Sequence, residues 1–138
     1  AVRLHIEAGV PRHKIVLGVP FYGRSWMQVN ATDNGLFQPG RINRHDYGGD
    51  SFENISSNLL DDPEYKRYWD PHAQVPYLWN DAENIFISYE DETSVTRKAQ
   101  YIREEKLRGM MFWAYHNDHQ GRLLNIMRKV LSSEDKNR

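Results

Sequence analysis

Ile15-Val16-Leu17-Gly18-Val19 and Met110-Met111-Phe112-Trp113-Ala114 are continuous apolar runs near the two ends of the chain. A strand with one wet face alternates polar and apolar residues. An unbroken run instead reads as a strand covered on both faces, as in a parallel sheet. Helix signals flank both runs. Ahead of the first, Val2 and Ile6 share a face, Gly9 suits a C-cap and Pro11 bars continuation. Ahead of the second, Thr93 or Ser94 is positioned to cap a helix running through Lys106. Val95, Ala99 and Ile102 make its apolar face and Gly109 ends it. A last helix is expected from Arg122 to Leu131, with Leu123, Leu124, Met127, Val130 and Leu131 on one side. Helices alternating with dry strands predict an α/β fold with a parallel sheet. Two such strands cannot cover their own faces, so either partners supply the rest or the chain belongs to a larger barrel or doubly wound sheet.

Between the runs the texture changes. Over residues 27–91 Gly, Asn, Asp and Pro are frequent and apolar residues are scattered. Asp33-Asn34-Gly35 and Gln38-Pro39-Gly40 read as turns. Asp50 to Leu60 reads as a short helix, with Phe52, Ile55 and Leu59 at helical spacing. Strands are expected at Tyr65–Trp69 and Val75–Trp79, a turn at Asn80–Glu83, and an alternating strand at Asn84–Tyr89. The division is therefore a helix-plus-strand segment over 1–26, an inserted α+β lobe over 27–91, and a second barrel-type segment with a polar tail over 92–138.

Composition excludes several function classes. Among 138 residues there is no cysteine, so disulfides, thiolate metal sites and cysteine nucleophiles are absent. Eighteen Lys and Arg against nineteen Asp and Glu give a formal charge of −1. Without clustered cations to displace counterions, nucleic-acid binding is not expected. No apolar stretch approaches the roughly 20 residues of a membrane helix, so no membrane partner is expected. The chain opens Ala1-Val2-Arg3 with neither Met nor a signal-peptide pattern, and reads as an excised piece of a longer protein.

In parallel α/β folds, ligands sit at the carboxyl ends of the strands. The first run leads into Pro20-Phe21-Tyr22-Gly23-Arg24-Ser25-Trp26, and the second into Tyr115-His116-Asn117-Asp118 after Trp113. Both tips are dense in rings and hydrogen-bonding groups. Aromatic faces stack on the apolar side of a pyranose while rim groups bond its hydroxyls. The same rings also serve as core or rim packing, and composition alone leaves those two readings open.

Lys14 through Trp26 resembles the seventh-strand segment of glycoside hydrolase family 18 chitinases, and Gly109-Met110-Met111-Phe112-Trp113 resembles their eighth strand. Val75-Pro76-Tyr77-Leu78-Trp79, Phe86-Ile87-Ser88-Tyr89-Glu90-Asp91 and Phe52-Glu53-Asn54-Ile55 resemble parts of the family's inserted α+β domain. The resemblance implies the C-terminal part of a TIM (β/α)8 barrel with that insertion, and a chitin or chito-oligosaccharide substrate. It implies Trp113 as the floor under the sugar beside the scissile bond, with Tyr22 and Arg24 reaching the cleft. It also implies a secreted, periplasmic or cell-surface parent protein, with no cofactor and no metal. The family's acid lies in an Asp-x-x-Asp-x-Asp-x-Glu pattern after strand four, and such enzymes use the substrate's acetamido oxygen as nucleophile. That pattern does not occur here. Asp46, Asp50 and Glu53 come nearest, with offsets of four and seven, and read as turn and helix-cap residues. No catalytic residue is therefore assigned, and the chain alone is expected to be inactive.

The remaining signals read as structural. His116 and His119 flank Asp118 without metal-site spacing and read as loop residues, with Asp118 capping the last helix. Glu90-Asp91-Glu92 reads as a helix start favoured by the dipole. Asn30-Ala31-Thr32 and Asn54-Ile55-Ser56 match glycosylation sequons, the second inside an expected helix. Two alternatives to a hydrolase stay open: a chitinase-like protein that holds sugar without cleaving it, and an interaction domain whose lobe stands alone while the flanking pieces pair between chains. Unpaired strand edges favour a homo-oligomer of the isolated chain.

Overall fold

The computed structural model describes residues 1–42 and 50–133. Asp46 and the tail beyond Ser133 lie outside them. Two sheets share the chain. Strands β1 (Val16–Pro20) and β7 (Gly109–Trp113) pair in parallel, Val16 opposite Gly109 and Pro20 opposite Trp113. Strands β2 (Arg24–Met27), β3 (Arg41–Ile42), β4 (Tyr65–Asp70), β5 (Val75–Asn80) and β6 (Ile85–Ser88) form an antiparallel sheet in the order β3-β2-β6-β5-β4. The helices are α1 (Val2–Glu7), α2 (Phe52–Asn54, continued by a π-helical turn over Ile55–Leu59), α3 (Glu92–Glu104) and α4 (Arg122–Ser132). Among the described residues no helix is long and apolar enough to cross a membrane.

The parallel pair is covered on one face only, against the expectation from its unbroken apolarity. Val19, Phe21, Val95, Leu123, Met127 and Phe52 form a buried cluster with Met110 and Phe112 packed against it. Helices α3 and α4 supply its cover. The opposite face holds Val16, Met111 and Trp113, which are 49%, 51% and 68% exposed. Apolarity encodes a tolerance for burial; the elements that would cover this second face are not in the described residues.

The first tip also departs from expectation. Arg24, Ser25 and Trp26 do not prolong β1 but begin the antiparallel sheet, so the chain changes sheets across Phe21–Gly23. That corner is pinned by the segment leading into α2. The Gly23 amide donates to the Asp50 carbonyl at 2.7 Å, and the Phe52 amide donates to the Phe21 carbonyl at 2.9 Å. A Cβ on Gly23 would stand 2.7 Å from Ile55 Cδ1 and 3.0 Å from Ile87 Cγ2. Only glycine lets the corner close on the lobe.

The lobe's two hairpins repeat one device. Asp70 Oδ1 accepts from the His72 and Ala73 amides at 2.8 and 3.2 Å, and Asn80 Oδ1 accepts from the Glu83 amide at 2.9 Å. Gln74 and Asn84 close the loops in the left-handed region. A short polar side chain that satisfies turn amides is why Asx residues start such loops. One face of the sheet then buries Ile55, Leu78, Ile87 and Tyr89 under the α2 segment.

The remaining boundaries move by a turn or less. Ser51, not Asp50, caps α2, its hydroxyl accepting from the Asn54 amide. Asp91, not Thr93 or Ser94, caps α3, in a capping box with Ser94. That helix ends at Glu104, where Lys106 takes the left-handed conformation ahead of Gly109. Gly121 is the residue preceding α4, yet the buried Asp118 carboxylate does accept from the Arg122 and Leu124 amides at 2.9 and 3.0 Å. His116 and His119 are exposed, and no metal-ligand cluster occurs among the described residues.

Candidate functional site

The carboxyl ends of β1 and β7 lie side by side, tied by the Phe21 amide donating to the Trp113 carbonyl at 2.8 Å. Alternation along the pair sorts the rings. Phe21 and Phe112 stack on the helix side, centroids 4.7 Å apart and planes 14° apart. Trp113 and its partner Pro20 belong to the open side. The Trp113–Ala114 peptide is cis, which nothing in the sequence announces.

Beyond Pro20, a cavity of about 150 Å³ is lined by Pro20, Tyr22, Arg24, Trp26, Val75, Ser88, Tyr89 and Glu90. Tyr22 and Arg24 are together in it, the guanidinium carbon 5.6 Å from the ring centroid. Among the described residues Arg24 has no ion pair. Arg24 brings a guanidinium with five N–H donors to the cavity lining, beside the Tyr22 ring. Trp113 does not line this cavity; it adjoins it through Pro20.

Four cavity residues, Val75, Ser88, Tyr89 and Glu90, escaped the sequence. Ser88 reaches the site because β2 pairs with β6, Arg24 opposite Ser88 and Trp26 opposite Phe86. Glu90 is buried, accepts from the Ser94 hydroxyl at 2.6 Å and pairs with Lys98. Its carboxylate is therefore engaged, a wall group and not a free acid. Tyr89 runs to the lobe's interior, where burial pushes its phenol up to about 12 against the pull of the Arg67 guanidinium. Of the acidic residues weighed above, Asp50 accepts from the Asn54 amide group at 2.8 Å and Glu53 accepts from Gln120 at 2.8 Å. Both serve local structure.

Residues 1–118 match Glycosyl hydrolases family 18. The chain belongs to that family. It is 39% identical over 131 residues to Chitinase A1 of Niallia circulans, spanning 92% of this chain and 19% of that protein. It superposes on a family 18 N-acetylglucosaminidase from Paenibacillus barengoltzii with a TM-score of 0.83 and 37% identity, over 94% of this chain and 37% of that one. It also superposes on a Cycas revoluta family 18 chitinase mutant in complex with (GlcNAc)4, with a TM-score of 0.81 and 28% identity, over 94% and 36% of the two chains. The chain thus spans well under half the length of these chitinase-type relatives.

Proposed function

We propose that this chain is the part of a chitinase-type glycoside hydrolase comprising barrel strands seven and eight with the inserted α+β lobe, and that it forms one side of a cleft for β-1,4-linked N-acetylglucosamine chains. One observation carries the reading. An exposed Trp113 ring stands at the tip of a strand whose parallel neighbour delivers Pro20, Tyr22 and Arg24 to a common cavity. In this arrangement Trp113 floors a pyranose through its apolar face, and Arg24, steadied on Tyr22, donates to sugar hydroxyl or acetamide oxygens.

The parent enzyme cleaves by substrate-assisted, retaining hydrolysis: an acid protonates the leaving oxygen while the acetamido oxygen attacks the anomeric carbon. This chain supplies binding and orientation only, since Asp-x-x-Asp-x-Asp-x-Glu is missing from its sequence and Glu90 is held by Lys98 and Ser94. The 138 residues alone turn over no chitin. The same engaged Glu90 also fits a chitinase-like sugar-binding parent, and the residue after strand four of the longer polypeptide separates the two. Isolated, the open face of the parallel pair favours self-association, which sedimentation reads directly.

The test is a titration with chito-oligosaccharides followed by tryptophan fluorescence, beside a turnover assay. Quenching that Trp113→Ala abolishes, without product release, is the expected result. Turnover by the chain, or quenching that survives Trp113→Ala, contradicts the proposal.

A further inference from the structure

The chain carries two Asn-x-Ser/Thr triplets, and the fold uses them in opposite ways. Asn54-Ile55-Ser56 lies in the α2 segment. Asn54 Nδ2 donates to Asp50 Oδ1 at 2.8 Å, and Asn54 Oδ1 accepts from Asn58 Nδ2 at 2.7 Å. Ile55 is fully buried, and the Ser56 hydroxyl donates to the Glu53 carbonyl at 3.1 Å. Both ends of that carboxamide are engaged, and the hydroxyl serves the helix. Asn30-Ala31-Thr32 lies in the loop joining β2 to β3, with all three residues exposed. Asn30 Oδ1 accepts from the Thr32 amide at 2.9 Å and from the Thr32 hydroxyl at 2.8 Å, an Asx turn closed within the triplet. Among the described residues nothing accepts from Asn30 Nδ2. The loop base holds this triplet in place. The Val29 amide donates to the Asn84 carbonyl at 3.0 Å, and a Cβ on Gly40 would stand 2.6 Å from Val29 Cγ2.

We propose that Asn30 is a covalent modification site, the acceptor of an N-linked glycan, and that Asn54 is not. A carboxamide nitrogen is a poor nucleophile because its lone pair is delocalised into the carbonyl. Two hydrogen bonds donated to Asn30 Oδ1 stabilise negative charge on that oxygen and so ease loss of a proton from Nδ2. The co-reactant is an oligosaccharide carried on a lipid diphosphate, presented by a transferase. Nδ2 attacks the anomeric carbon of the first sugar. The C–N bond forms as the C–O bond to the diphosphate breaks, the Nδ2 proton passes to a base of the transferase, and the lipid diphosphate leaves with the electron pair. A glycan on Asn54 would displace the bond to Asp50, whereas one on Asn30 displaces nothing. Outward from Asn30 an open groove of about 730 Å³ runs past Gln28, Arg41, Glu83 and Asn84, with polar groups for a sugar lying along it. None of the groove's residues lines the cavity that holds Tyr22 and Arg24, so the glycan leaves that cavity open. The step requires a parent protein routed through a secretory pathway, as the resemblance implies, and does not depend on the cleft reading.

The test is expression of the full chain behind a signal peptide in a eukaryotic host, with protein recovered from medium and cells together. Peptide mapping follows enzymatic release of N-glycans in heavy-oxygen water, which converts each glycosylated Asn to a labelled Asp. The expected result is label at Asn30 and none at Asn54. Thr32→Ala, which keeps the acceptor and removes the hydroxyl, is expected to lose the label, and Thr32→Ser, which restores a hydroxyl, to keep it. Asn54→Gln is expected to leave the glycan in place. Unfolding midpoints of the deglycosylated native chain and Thr32→Ala, measured in urea, are expected to coincide, which separates a lost acceptor geometry from a lost fold. An unlabelled Asn30, a labelled Asn54, or a glycan that survives Thr32→Ala overturns the proposal.

Discussion

The parallel pair and the antiparallel lobe invert what their sequences advertise. The pair is written in unbroken apolar residues yet shows one face to water. The lobe is written in scattered apolar residues among turn formers yet closes a core of Ile55, Leu78, Ile87 and Tyr89. Hydrophobic density does not measure self-sufficiency. Hairpins bring their partners with them; parallel strands depend on elements from elsewhere. The lobe closes its own core, and the parallel pair leaves Trp113 exposed.

The sharpest way to break that contrast is a pair of truncations. Leu78→Ala, fully buried in the lobe, is expected to cost about 2–5 kcal/mol in urea unfolding. Met111→Ala, half exposed on the open face, is expected to stay within about 0.5 kcal/mol. Equal costs would mean that the open face is covered. Next comes the joint between the regions. Gly23→Ala forces a methyl against Ile55 and Ile87 and is expected to cost about 1–3 kcal/mol as overpacking. A neutral result would show the corner to be loose.

Within the barrel-type segment, Asp118→Ala removes the acceptor for two amides of α4. About 1 kcal/mol is expected, with faster hydrogen exchange at Arg122 and Leu124 and none of that change in the lobe. The mildest test is alkaline. Burial raises the phenols of Tyr65, Tyr77 and Tyr89 above the usual 10, Tyr89 to about 12. The unfolded chain therefore releases these protons first, and stability present below pH 10 falls as pH rises from about 10 to about 12. Tyr89→Phe should flatten part of that fall, as read by unfolding midpoints across the range.

Much of this was legible in the sequence because it is local. The hairpins at Asp70 and Asn80, the face of α3, and both strands of the parallel pair follow from neighbours in the chain. The rest is not local. Tyr22-Gly23-Arg24 reads as a turn, but the reason for Gly23 is the Ile55 side chain, brought in from another element. Arg24–Met27 reads as the tail of β1 because nothing between Pro20 and Arg24 announces a change of sheet. Tyr22 and Arg24 were marked by the resemblance of Lys14 through Trp26 to the family's seventh-strand segment. Ser88 and Glu90 were not marked as site residues, since their membership of the cavity depends on which strand pairs with β2.

The division of labour between rigid lobe and presenting strand is tested most directly by calorimetric titration of N-acetylchitotetraose into the native chain and Trp113→Ala, with urea unfolding of both in parallel. Trp113 is exposed, so the account predicts lost binding and an unmoved unfolding midpoint. Binding that persists, or a midpoint that falls with it, would make Trp113 a packing residue and contradict the account.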